Sequence, residues 1–115
     1  MTAPIYNEEH RKWASKEIVS IAKGLLSGEL GIVAGARQLA TWRFHVGADN
    51  DPDFTFFVGV ASETDDIPIG DVRTRWNPEA LKAKDAELQN FEASVRDKAL
   101  QACQRLIRRY ETEGG

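Results

Sequence analysis

The chain has 115 residues, 42% of them hydrophobic and 29% charged, a formal net charge of -3 and a pI near 5.4. That is enough chain for one modest core and too little for two, it excludes a polar disordered chain, and it gives no general drive toward nucleic acid or an anionic membrane. The single cysteine, Cys103, excludes an intrachain disulfide and fits a reducing compartment, and no apolar run approaches the roughly 18 residues of a membrane span, so the sequence reads as cytoplasmic.

Residues 1–6 read as a loose arm, with Asn7 as an N-cap and Glu8 and Glu9 placed to suit the dipole of a first helical turn. Trp13, Ala14, Ile18, Ile21, Ala22 and Leu25 recur at spacings of three and four, which predicts an amphipathic helix over 8–26 that Gly28 ends. A second stripe, Leu30, Val33, Ala36 or Arg37, Leu39 or Ala40, and Phe44, predicts a helix over 29–45. Gly31 and Gly35 weaken that helix but permit a close backbone approach. So short a connection favours an antiparallel helix pair.

The stretch GADNDPDFTFFVGV follows Gly47 and opens like a calcium loop, with Asp49, Asp51 and Asp53 at alternate positions. The sixth position of such a loop needs Gly and the twelfth a bidentate Glu; Phe54 and Val60 stand there, so the metal reading fails at two essential places. Asp51 before Pro52 instead has the character of an N-cap followed by an N1 proline. A short helix through Phe54, Phe57, Val58 and Ala61 competes with a hairpin over 54–75, because Phe54, Phe56, Val58 and Val60 also alternate. Asn77 and Pro78 repeat the cap and predict a long helix from 78 to about 111, roughly 50 Å if unbroken. Its apolar positions are Leu81, Leu88, Phe91, Val95, Ala99, Ala102, Cys103, Leu106 and Tyr110. Two helices of half that length cannot cover it, so it bends, its first turns project, or a second copy of the chain covers it, and the last option makes a homodimer plausible. Residues 112–115 read as a loose end.

The most distinctive stretch is SETDDIPIGDVRTRW, residues 62–76. From Asp49 to Asp71 the chain carries seven acids and no base; Arg73, Arg75 and Trp76 then arrive together. Ile67 and Ile69 could plug the core and an arginine could pair with a loop carboxylate, a purely structural use. The functional reading is a binding surface of Glu63, Asp65, Asp66, Asp71, Arg73, Arg75 and Trp76, since Arg and Trp are enriched in interface hot spots. The carboxylates do not form facing pairs at helical spacing for metal-dependent hydrolysis, neither histidine stands near a nucleophile motif, and no glycine loop resembles a phosphate cradle. The sequence therefore implies no catalytic residue, cofactor or metal. The basic end of the last helix, Arg96, Lys98, Arg105, Arg108 and Arg109, reads as a solvated face, and Trp13 and Trp42 as core or rim residues.

Ser62, Glu63, Thr64, Asp65, Pro68, Gly70, Arg73 and Trp76, with Ala102-Cys103 near the end of a charged helix, resemble a motif of a family of small bacterial proteins of unknown function. The resemblance covers about 18–110 and implies a small, bacterial, cytoplasmic protein without supplying a reaction or a ligand. The expectation is an all-α fold: an antiparallel helix pair, a short third element and a long C-terminal helix. The expected function is non-enzymatic binding through the acidic 62–76 region, for example neutralising a basic partner as an immunity protein does. The alternative is an enzyme or a sensor of a small anionic ligand, with a pocket near Arg73 and Arg75.

Overall fold

The computed structural model describes residues 8–114, with side chains through Thr112. The arm at 1–6, the Asn7 cap and Gly115 lie outside the described residues. In chain order the elements are α1 (Glu8–Ser27), α2 (Ile32–Trp42), a 3-10 turn (Arg43–Val46), α3 (Pro52–Glu63), a second 3-10 turn (Gly70–Arg75) and α4 (Pro78–Gly114). The fold is all-α, and among the described residues there is no strand.

The hairpin alternative is overturned at Asp51. Its backbone is extended (φ -71°, ψ 130°), its Oδ1 accepts the Asp53 N–H at 2.9 Å, and Pro52 takes the first helical position. That local signal starts a helix, and burial then follows a period of three: Phe54, Phe57 and Val60 are buried, while Phe56 and Val58 are half-exposed. The strand-like alternation of the aromatics and valines carried no weight, because no second strand formed to pair with it.

Gly28 adopts φ +83° and turns the chain out of α1, with the Leu30 N–H reaching back to the Gly24 carbonyl at 3.0 Å. α2 then begins at Ile32, three residues later than the periodicity implied. Gly31 is extended and offers no side-chain cap; the Val33 N–H is satisfied instead by the Glu92 carboxylate of α4 at 2.9 Å. α2 also ends early, at Trp42. The chain tightens into the 3-10 turn Arg43–Val46, which Gly47 closes at φ +64°. The change from 3.6 to 3 residues per turn rotates Phe44 off the core stripe. It is 44% exposed, with the Arg43 guanidinium 3.9 Å over its ring, and Val46 is buried in its place.

α1 lies along the C-terminal half of α4, and α2 against α3. The core gathers Ile18, Leu25, Val33, Leu39, Phe54, Phe57 and Leu106, each burying a side chain worth about 1.5–3 kcal/mol. At Gly35 α1 and α2 come so close that a Cβ would lie 2.7 Å from the Leu25 side chain. α4 is capped by Asn77, whose Oδ1 accepts the Glu79 N–H at 2.8 Å. It runs to Gly114 and thus past the expected end at 111, so that 112–114 are helical and not a loose tail. Its buried residues are Ala99, Ala102, Cys103, Leu106 and Tyr110, all in the second half; Leu81, Leu88, Phe91 and Val95 are half-buried.

Candidate functional site

Residues 62–76 divide into an inner set that anchors the segment and an outer set that faces solvent. Thr64 ends α3, fully buried, and its hydroxyl donates to the Val60 carbonyl at 2.7 Å. Arg37, on α2, donates through one nitrogen to the Thr64 carbonyl and, at 2.8 Å, to that of Ile67. One guanidinium thus satisfies two carbonyls where the helix has run out. Ile67 and Pro68 are buried beside it. Gly70, at φ +79°, opens the second 3-10 turn.

Two ion pairs tie this segment to α4. Arg73 grips Asp85 with both ends of its guanidinium, at 2.7 and 3.0 Å. The hydrogen bonds hold the Asp85 carboxyl below its ordinary range and raise Arg73. Lys84 lies 2.6 Å from Asp66 and 3.2 Å from Glu87; its hydrogen bond lowers Asp66, and the two carboxylates raise Lys84.

The outer set is Glu63, Asp65, Asp71, Val72 and Arg75. All are exposed, Val72 by 44%, and the four charged residues make no ion pair among the described residues. An open cleft of about 440 Å³ lies between the 64–69 loop and the second 3-10 turn. Ile67, Pro68, Ile69 and Val72 give it apolar walls, Trp76 an aromatic one, and Asp65 and Asp66 carboxylates, with Arg37 behind.

Of the residues singled out in the sequence, Asp65, Asp66 and Trp76 meet at this cleft. Arg73 turns to α4, while Glu63, Asp71 and Arg75 do not line the cleft. Arg37, Lys84 and Asp85 were not foreseen. Their partners lie 12 to 30 residues away in sequence, beyond the reach of helical spacing, and Arg37 itself occupied an ambiguous position in an apolar stripe.

Two of the three aspartates that imitate a calcium loop, Asp51 and Asp53, are engaged elsewhere. Asp51 caps α3 and bonds Arg109 at 2.6 Å; Asp53 accepts from Arg105 at 2.9 Å and Arg109 at 3.1 Å. Two of the arginines read as a solvated face therefore close this corner of the fold. Among the described residues no group of three or more His, Cys, Asp or Glu side chains is arranged to hold a metal. Nor is any helix there long and apolar enough to cross a membrane. His45 Nδ1 lies 3.0 Å from Nε2 of His10 on α1, and both rings join Trp13 and Trp42 in an aromatic rim. Trp13 is 49% exposed there. Cys103 is fully buried, and burial pushes its thiol up to about 12.

Comparison of the chain with family models, with curated proteins and with solved structures gave no match, so the resemblance to the small bacterial proteins rests on the motif residues alone.

Proposed function

We propose that this protein is a non-enzymatic binding protein that engages a basic protein partner, in the cytoplasm, through the outer face of residues 62–76. One observation carries the reading: Glu63, Asp65, Asp71 and Arg75 stand exposed and unpaired on a segment that Thr64, Asp66, Ile67 and Arg73 fasten to α2 and α4. A fastened backbone presenting free charges beside exposed Val72 loses little entropy on docking and steers a partner of opposite charge. An immunity protein that neutralises a basic toxin is one concrete form. The small-anion reading has less support, because the Arg73 guanidinium is already committed at both ends to Asp85. Self-association belongs to the same reading, since Leu81, Leu88 and Phe91 are only half-covered along the first half of α4.

The test is charge reversal at the two exposed carboxylates, Asp65→Lys with Asp71→Lys, in a quantitative capture from cells that make the protein. Helical circular dichroism should be unchanged and the captured partner lost. A partner that binds the reversed variant equally well would overturn the reading. Light scattering of the pure protein separates a partner complex from a dimer.

A further inference from the structure

The cleft between the 64–69 loop and the second 3-10 turn has the lining of a receptor for a cationic side chain. Four apolar residues, Ile67, Pro68, Ile69 and Val72, form its walls, and Trp76 stands half-exposed beside them. Two carboxylates and one guanidinium line it, which leaves one net negative charge. The three are not equally free. Arg37 is spent on two backbone carbonyls, and Asp66 is held by Lys84. Asp65 alone is exposed and unpaired. A guest must therefore have a long apolar stem for the walls and a cation at its tip for Asp65. Both arginine and lysine meet that description. The Trp76 ring selects between them: a planar guanidinium stacks on indole and keeps donors in its own plane for a carboxylate, whereas an ammonium is a strongly hydrated point charge. Among the described residues no cation stands over the Trp76 ring, in contrast to Phe44 under Arg43 and Tyr110 under Arg109.

We infer that this cleft receives an arginine side chain of the partner protein, its stem against Ile69 and Val72, its guanidinium over Trp76 and bonded to Asp65. The inference rests on the proposed role of the 62–76 face and narrows it to one recognition element.

The full chain, labelled with nitrogen-15, is titrated with the peptide acetyl-Gly-Arg-Gly-amide while the indole N–H of Trp76 and the amide of Asp65 are followed. Trp76→Phe assigns the indole signal, and circular dichroism confirms the fold of each variant. Saturable shifts at Trp76 and Asp65 are expected. Asp65→Asn should weaken binding about fivefold, the scale of one partly exposed charge pair. The lysine peptide should bind more weakly, and the norleucine peptide should leave both signals in place. An equal response to norleucine, or unchanged affinity in Asp65→Asn, overturns the inference. If the arginine peptide moves Glu63, Asp71 and Arg75 but not Trp76, the cleft is not the receptor, although the wider binding face stands. If it moves nothing in 62–76, the cleft is again refuted, and the wider face is then judged by the charge-reversal capture alone.

Discussion

Arg73 holds Asp85 through two hydrogen bonds, 2.7 and 3.0 Å, and thereby fixes the turn Gly70–Arg75 against the first half of α4. Both side chains are more than a third exposed, so the pair is expected to set the position of the binding segment more than the stability of the fold. Arg73→Lys cannot reproduce the two-pronged contact. The expected result is faster hydrogen exchange at the Trp76 amide, whose partner is the Arg73 carbonyl at 3.1 Å, with the melting temperature almost unchanged. A large fall in melting temperature would show that the pair supports the core.

The Asp66–Lys84 and Arg73–Asp85 pairs also set a pH window for this segment. Both carboxyls are depressed in the folded state, so their contribution is present above the unfolded value of about 3.9 and fades as pH falls through the lower folded value. Lys84 is raised, so its contribution is full below about 10.4 and fades as pH climbs through the folded value. Hydrogen exchange, corrected for intrinsic rates, should show the 66–76 segment most protected between about pH 5 and pH 9 and looser outside it. Protection that rises on acidification would contradict these pairings.

Two helical glycines should respond in opposite directions to alanine. At Gly35 the new methyl would sit 2.7 Å from the Leu25 side chain, and the overpacking should cost about 1–3 kcal/mol. At Gly59, inside α3, nothing lies within 4 Å, and alanine should stabilise by about 0.5–1 kcal/mol through helix propensity. Urea denaturation of the two variants decides; a stabilising Gly35→Ala would mean that α1 and α2 separate easily.

The aspartates of the 49–53 stretch should separate by their partners. Asp53 is 8% exposed and receives two arginines, so Asp53→Ala should cost about 1–2 kcal/mol. Asp49 is exposed without an ion pair among the described residues, and Asp49→Ala should fall within about 0.5 kcal/mol of zero. Millimolar calcium should leave the melting curve of the parent chain where it was. A calcium-dependent rise that Asp49→Ala removes would restore the metal-loop reading.

Cys103 should be silent in the folded protein. With its thiol pushed up to about 12 and no exposed surface, it should not react with a disulfide reagent at pH 8, and one thiol per chain should appear on denaturation. Rapid labelling in native buffer would show that α1 and α4 part far more readily than their packing implies.

What the sequence determined by itself was α1, α2 and α4 as helices, the cap that starts α3, and the ends of α1; the bounds of α2 and the end of α4 lie about three residues from where the periodicity put them. Asp51-Pro52, Asn77-Pro78, Gly28 and Gly47 act within a few residues of themselves, through a cap, a fixed φ or a permitted positive one, so their effect is legible without the fold. Tertiary structure decided whatever joins distant residues. Glu92 caps α2 from 59 residues away, Arg37 holds a carbonyl 30 residues on, and Arg73 finds Asp85 across 12. It also decided that Phe44 would leave the core stripe, because a 3-10 turn follows α2 where the periodicity continued a helix. The same division runs through the binding segment. Its composition marked residues 62–76, but only packing separated the side chains used as anchors from those left facing solvent, since a charge written in the sequence is free or spent according to what the fold sets beside it.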